Sequence, residues 1–223
     1  MHTHSDFTSN SKILIVTSVS AERDAVLRGL QKSDRFDIII GGVGSAAAAA
    51  NTAAALVAGQ YGLIVCAGIA GGFSDQAGIG SLVVASEIVA ADLGAETPDG
   101  FLSLDELGFG TARIGVDAIS GRRIVHALLE AGLTAVSGPI LTVTTVTGSA
   151  ATAEMLSARI PGACAEAMEG YGVAVAAEQR GIPVIEIRAI SNAVGPRNRE
   201  AWRIGDALQA LESASTVLME VLS

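Results

Sequence analysis

A layered α/β fold, with helices covering both faces of a mainly parallel sheet, is predicted by three features of the sequence. Continuous apolar runs of strand length recur between turn residues, the mark of strands buried on both faces. Helix-compatible segments separate them, and strands that alternate with helices build parallel sheets. The chain is also rich in Ala, with 26 Gly and only 4 % aromatic residues, a composition for close helix-on-sheet packing with glycine where backbone must approach something.

In chain order, Ile13–Thr17, Phe36–Ile40, Leu63–Ala67, Ser81–Val89, Ile140–Thr145 and Pro183–Ile190 are the expected strands. Ala21–Gln31, Ser45–Ala58, Gly121–Ala131, Ser149–Ala158, Gly170–Arg180 and Arg199–Leu222 are the expected helices. Ser20, Ser149 and Asn198 stand where a side-chain oxygen accepts an orphan N–H of a first helical turn. Gly94–Arg113 is the one long stretch without periodicity, a candidate functional or interface loop. No linker and no repeat divides the chain, so a disordered polar tail over 1–11 and a single domain over 12–223 are expected.

Lys and Arg number 14 against 23 Asp and Glu, a net charge of −9 with a pI near 4.7. That field repels phosphate backbones and anionic lipid surfaces, which argues against nucleic acid or membrane as a partner. Cys66 and Cys164 have no further cysteine at metal-ligand spacing, a usage that fits inert core thiols in a reducing cytoplasm and excludes a disulfide framework. The polar start carries no apolar signal segment, and Gly or Ala interrupts each later run before the ~18–20 residues of a membrane helix are reached. His2 and His4 are read as part of the tail rather than as a metal site.

Ligands of such sheets bind beyond the carboxyl ends of the strands. Chemistry-bearing residues stand there at Glu22, Gly41-Gly42-Val43-Gly44, Gly68-Ile69-Ala70-Gly71-Gly72-Phe73, Thr144–Gly148, Glu166-Ala167-Met168-Glu169-Gly170 and Arg188-Ala189-Ile190-Ser191-Asn192. Gly42-x-Gly44-x-x-Ala47 follows a strand and opens a helix, as a dinucleotide-binding turn does. Such a turn needs an acid about 20 residues on to hold the ribose, whereas the next strand ends Val65-Cys66-Ala67-Gly68 without one. A nicotinamide or flavin enzyme is therefore not expected, and helix–strand packing is the other use for these glycines.

Taken together, Gly42-x-Gly44, Ala67-Gly68-Ile69-Ala70-Gly71-Gly72, Ala167-Met168-Glu169-Gly170 and Arg188-Ala189-Ile190-Ser191-Asn192 resemble the nucleoside phosphorylase and nucleosidase superfamily in order and spacing, from about Ile13 to the C-terminus. Leu93-Gly94-Ala95-Glu96, Asp99-Gly100-Phe101 and Ser191-Asn192-Ala193-Val194-Gly195-Pro196-Arg197, with Trp202 downstream, make the futalosine hydrolases the form it is most similar to. They are a sister family of the methylthioadenosine/S-adenosylhomocysteine nucleosidases. The resemblance implies a three-layer α/β/α fold with a mainly parallel mixed sheet, and a homo-oligomer in which residues 94–113 are candidates to complete a neighbour's pocket. It further implies hydrolysis of a purine nucleoside without metal or cofactor, futalosine giving hypoxanthine and dehypoxanthine futalosine in menaquinone synthesis.

Breaking an N-glycosidic bond builds positive charge on the sugar and negative charge on the base, so a site needs a water activator, a ribose clamp and a support for the leaving group. On the resemblance, Glu22 activates water, Glu169 accepts from ribose hydroxyls, Met168 packs against the sugar and Asn192 supports the base. Gly42, Gly44, Ile69, Ala70 and Gly71 line the substrate. Each main group also has a plain structural use: Glu22 as a first-turn acid, Met168 as core filling, Asn192 as a strand-end turn residue. The nucleosidases carry a second carboxylate that matches Ala167, so the sequence departs from their pattern there and Glu166 has no assigned role.

Adenine-cleaving relatives place Asp at the position of Asn192. An amide donates to the carbonyl oxygen of a 6-oxopurine and accepts from its protonated ring nitrogen, where an ionised Asp would face that oxygen with like charge. Hypoxanthine or guanine is the expected base. Glu22 repels phosphate and activates water, which favours hydrolysis over phosphorolysis. The carboxylated aromatic tail of futalosine wants an apolar wall, from Trp202, Phe101 or Phe73, and a cation, from Arg197, Arg199 or Arg113. Arg188, inside an apolar strand, is read as the structural partner of Glu186. The competing readings are a methylthioadenosine-type nucleosidase, an inosine phosphorylase, and a nucleoside-binding protein without catalysis.

Overall fold

The computed structural model describes residues 11–31 and 33–222. Apart from Ser11, the tail expected over 1–11 lies outside the described residues. β1 (Lys12–Thr17) leads into α1 (Ser20–Gly29), β2 (Phe36–Ile40), α2 (Ser45–Ala58) and β3 (Tyr61–Gly72). β4 (Leu82–Ala90) is followed by a hairpin of β5 (Gly94–Thr97) and β6 (Gly100–Ser103), then by β7 (Arg113–Gly115). The second half runs through α3 (Ala118–Glu130), β8 (Ala135–Thr142), α4 (Ala150–Arg159), β9 (Ala165–Ala167), α5 (Gly170–Glu178) and β10 (Val184–Ala193), and ends in a 3-10 turn, Arg199–Ala201, and α6 (Ile204–Leu222).

Alternation along each strand sorts the core onto two faces. Ile13, Ile15, Leu63, Val65, Ile185 and Ile187 share one cluster with Val26 of α1, Ile124 of α3 and Leu211 of α6. Leu14, Val16, Ile64, Cys66, Val184 and Ile190 share the other with Leu56 of α2 and Val173 and Ala177 of α5. A smaller cluster with Val89, Leu141 and Leu156 ties α4 to the sheet. The fold is thus a three-layer α/β/α sandwich, and burial of both strand faces is why the runs read as continuous.

The sheet is mixed and mainly parallel. β2, β1, β3 and β10 are parallel neighbours, as are β4, β8 and β9. β10 meets β4, and β9 meets β3, in antiparallel fashion, so β3, β10, β4, β8 and β9 close into a ring. One edge of β3 therefore has two partners in succession. β1 accompanies it as far as Val16↔Cys66, and β9 takes over at Gly71↔Glu166. Between them, residues 67–70 of that edge face no strand among the described residues.

Several bounds differ from the sequence expectation. β3 runs to Gly72 rather than Ala67, and β10 to Ala193, because the two pair in parallel as far as Ala193↔Gly72 with a register shift after Ile190. β8 starts at Ala135 and stops at Thr142, which leaves Thr144–Gly148 as loop. The aperiodic stretch holds the β5–β6 hairpin and β7. Ser149 caps α4 as expected, its Oγ accepting from the Thr152 N–H at 3.1 Å. Ser20 does not cap α1: it is the first helical residue, and Val19 holds the cap position. The Asn198 side chain makes no capping bond, and the expected last helix is split into the 3-10 turn and α6.

A Cβ at Gly29 would lie 2.2 Å from the Glu212 carbonyl oxygen and 2.6 Å from Ser215 Cβ, so α1 rests directly on the backbone of α6. Gly29→Ala has to force these helices apart. The expected loss is about 1–3 kcal/mol, read by calorimetry as a fall of roughly 2–12 °C in Tm; an unchanged Tm would mean that the helices do not meet this closely.

Candidate active site

The unpaired stretch of β3 is where the first acid sits. Glu22, in the first turn of α1, is 3 % exposed. Its Oε2 accepts from the N–H of Ser18 at 2.8 Å and of Val19 at 3.3 Å, and its Oε1 accepts from the N–H of Ile69 at 2.9 Å. Neither β1 nor β9 reaches that Ile69 amide, so the carboxylate stands in the ladder where a strand would. A carboxylate offers about four acceptor positions; with three taken by amides, one is left for a donor from outside.

Next to it lies a buried cation. Arg188 on β10 is 1 % exposed. Its Nε donates to Glu186 Oε1 at 2.8 Å, and its Nη2 donates to Glu169 Oε2 at 3.2 Å and to Cys66 Sγ at 3.3 Å. The period of two puts Glu186 and Arg188 on the strand face that Val184 and Ile190 turn toward α2 and α5. Gly68 makes the room: a Cβ there would come within 2.6 Å of both Arg188 Nη1 and Glu22 Oε1. Burial opposes the charge on Arg188, but the surrounding Cys66, Glu186, Glu169 and Glu22 together outweigh it and hold the guanidinium above its usual range. Burial also lifts the Cys66 thiol, which stays neutral.

Glu169 stands at the N-cap of α5 and accepts, besides Arg188, from the Gly44 N–H at 3.2 Å and the Met168 N–H at 3.3 Å. Gly42 (φ 84°) and Gly44 (φ 91°) lie in the left-handed region that favours glycine. The turn they make starts α2 and aims an amide at Glu169. Both amide bonds are long for N–H···O, so a better-placed donor can displace them. Met168 is half-buried beside this acid.

At the other end of the floor, Asn192 is in register with Gly71. Its Oδ1 accepts from the Ser191 hydroxyl at 2.8 Å, and its Nδ2 donates to the Ala193 carbonyl at 3.0 Å. Ile69, Ala70 and Gly71 thus form a short backbone floor with Glu22 at one end and Asn192 at the other, about 7 Å apart along the strand. The Arg203 N–H donates to the Ser191 carbonyl at 2.8 Å and returns the following chain to the end of β10. This brings the backbone next to Trp202 back to the end of β10, and Arg197 and Arg199 lie over the Trp202 ring at 5.3 and 5.5 Å.

Other residues singled out from the sequence are held elsewhere. Phe101 on β6 lies under the Arg159 guanidinium of α4, 3.7 Å from its ring centre. Phe73 is buried in the α4 cluster, and Arg113 pairs with Glu87 at 2.7 Å on the surface. Arg188 does pair with Glu186 as read, but its reach to Glu169 was missed. The signal was an acid and a base two apart in an apolar strand, hence on one face. Glu166, which had no assigned role, accepts from the Thr147 N–H at 2.8 Å and from the Thr147 hydroxyl, and so ties down the loop that follows β8. Burial pushes its carboxyl up, and the two Thr147 bonds pull it back.

The phosphorylase superfamily profile matches residues 16–223. A futalosine hydrolase from Streptomyces coelicolor is 52 % identical over 94 % of this chain and 96 % of its own length. The chain belongs to the phosphorylase superfamily, and within it to the futalosine hydrolases. A second futalosine hydrolase, from Acidothermus cellulolyticus, is 50 % identical over 93 % of this chain and 90 % of that one. The fold is also that of the solved 5′-methylthioadenosine/S-adenosylhomocysteine nucleosidase from Helicobacter pylori, with a TM-score of 0.80 at 17 % identity over 95 % of this chain and 97 % of that one.

Gly68→Ala drives a methyl group between Glu22 and Arg188. Displacements of about 1 Å in such sites cost on the order of 100-fold in rate, and a loss of that size in nucleoside cleavage is expected with the circular dichroism of the folded chain retained. Gly78, where a Cβ would meet nothing within 4 Å, is the control, and Gly78→Ala should leave the rate unchanged. Equal rates for the two variants would show that the spacing at Gly68 does not matter.

Proposed function

We propose that this chain hydrolyses the N-glycosidic bond of futalosine and releases hypoxanthine and dehypoxanthine futalosine for menaquinone synthesis. The observation that carries this is Glu22, seated in the gap of β3 and facing Asn192 across three backbone residues, in a chain 52 % identical to a futalosine hydrolase. Glu22 takes the proton of the water that attacks the sugar carbon, its remaining acceptor position being the one the amides leave open. Glu169 accepts from the ribose hydroxyls in place of its long bonds to Gly44 and Met168. Met168, Ile69, Ala70 and Gly71 line the sugar and base, with Gly42 and Gly44 at the rim.

Asn192 gives up its bonds to its two chain neighbours, donates through Nδ2 to the 6-oxo group and accepts through Oδ1 from the ring nitrogen that becomes protonated. Supporting the charge that develops on the leaving base is where such a group acts most strongly. The Trp202 ring and the Arg197 guanidinium over it form the end that takes the carboxylated aromatic tail. A carboxylate at Glu22 disfavours a phosphate dianion as nucleophile, so water is the second substrate.

We infer that the working form is a homo-oligomer in the cytoplasm. Cys66 and Cys164 are both free and buried, which suits a reducing compartment. No helix among the described residues is long and apolar enough to cross a membrane. α2 has no charged residue and exposes Ala46, Ala50, Ala53, Ala54 and Val57 on one stripe, with Val57 at 73 % exposure and Val43 uncovered at its start. Such a stripe is suited to a second copy of the chain.

The test incubates the purified protein, free of phosphate, with futalosine, inosine and methylthioadenosine and measures the free base. Hypoxanthine from futalosine alone is expected, and adenine from methylthioadenosine would overturn the role given to Asn192. Glu22→Gln should lower turnover by at least about 100-fold, the scale of a lost general base, and Asn192→Ala should lose most of it, both with the melting curve retained. Sedimentation is expected to give a multiple of the 22.5 kDa chain mass, reduced to the single chain when Ala53→Glu and Val57→Glu are combined. A wild-type monomer would remove the oligomer.

A further inference from the structure

Three carboxyl groups converge on one guanidinium inside this fold, and they are not equally held. Glu22 accepts three amide N–H bonds. Glu169 accepts two amides and Arg188 Nη2. Among the described residues Glu186, completely buried, accepts a single bond, from Arg188 Nε to Oε1, and its Oε2 has no hydrogen-bond partner. That bare oxygen is pressed against the start of α5, so closely that a Cβ at Gly170 would lie 2.1 Å from it, yet no amide of that first turn reaches it.

The groups that face Glu186 are Arg188 from its own strand and Glu169 from the junction of β9 and α5. Across the guanidinium stand Glu22 from α1 and the neutral Cys66 thiol of β3. Ionising all three acids would leave two negative charges uncompensated by the one guanidinium, and with each acid largely buried and Glu186 completely so, that is a costly arrangement. Donors on a carboxylate favour its charged form, so the acid that keeps its proton is the one with the fewest donors.

We propose that Glu186 is a positioning residue that works as a neutral acid: Oε1 anchors Arg188 through Nε, Oε2 keeps the proton, and the charge of Arg188 is left to Glu169. Burial raises the Glu186 carboxyl, Arg188 only partly offsets this, and the charge of Glu169 adds to the rise. The role rests on the nucleosidase activity proposed above, since it acts on substrate through the ribose clamp. Arg188, fixed at Nε, is what keeps Glu169 aimed.

The test compares Glu186→Gln and Glu186→Ala with the wild type. Gln keeps the oxygen that Arg188 needs and is neutral, so its kcat and KM should stay within about threefold of wild type. Ala removes the anchor, and KM for the cleaved nucleoside should rise about tenfold or more with a smaller change in kcat. The infrared carbonyl band of a neutral carboxylic acid, present in the wild type near neutral pH, should be lost in Glu186→Gln.

A raised carboxyl also binds its proton more tightly in the folded state. Stability from that proton is present below the unfolded value of about 4.3 and is lost as pH rises toward the folded value. The wild type should therefore lose Tm relative to Glu186→Gln as pH rises through this window. Gln behaving like Ala, no band lost, or an Ala variant with lowered Tm and unchanged KM would each overturn the role. The infrared and melting measurements need no substrate, so they stand even if the wild type cleaves a different nucleoside, and an Ala variant that failed to fold would leave Gln to decide.

Discussion

Arg188 is a full positive charge inside a sheet that is itself covered by helices on both sides. A charge in such a place is tolerable only among acids with good geometry, and the fold brings them from separate junctions of the chain: Glu186 from the same strand, Glu169 from the entrance to α5, and Glu22 from the first turn of α1 across Gly68. Satisfying that one ion fixes where α5 starts and how β10 sits against β3. The groups assigned to water, ribose and base stand at the rim of the same cluster, so the machinery for chemistry and the solution of a burial problem are the same set of contacts.

The space for this cluster is made by residues with almost no side chain. Gly68 separates Arg188 from Glu22, Gly170 admits Glu186, and at Gly172 a Cβ would come within 2.0 Å of the Ser45 carbonyl oxygen, so α5 lies on α2 backbone to backbone. This accounts for the many Gly and Ala and the 4 % aromatic content. Large side chains would fill the layers but leave no room for three acids and a guanidinium.

Much of the framework was legible because the physics was local. β2 and α2 have the bounds read from the sequence, since an apolar run and an alanine run each end at turn residues. The end of β3 was not legible. Its Gly68-Ile69-Ala70-Gly71-Gly72 looks like a turn, and only pairing with β10 makes it strand. The start of β8 was hidden by Ser137-Gly138-Pro139, and Pro139 is tolerated there because the ladder with β4 is irregular between Ala85 and Ile88. Three-residue strands such as β7 and β9 are too short to show a period. Glu22, Glu169 and Asn192 could be singled out one by one, but their convergence depends on β10 pairing with β3 out to Asn192↔Gly71 and on β9 crossing to β3 just before Glu169, tertiary pairings that no local pattern encodes.

The handover from β1 to β9 along β3 makes the length of the floor a matter of counting. The opening spans the residues between the partners of Val16 and Glu166, and strand register moves only in whole residues, with every step reversing which way side chains and amides point. Ile69 presents its N–H to the opening because of where the two neighbouring strands stop. Exchanging side chains at the rim changes which base or sugar substituent is favoured, while the floor keeps its length until a strand gains or loses a residue. The scaffold can therefore serve different nucleosides without rebuilding the distance between its water-activating end and its base-holding end.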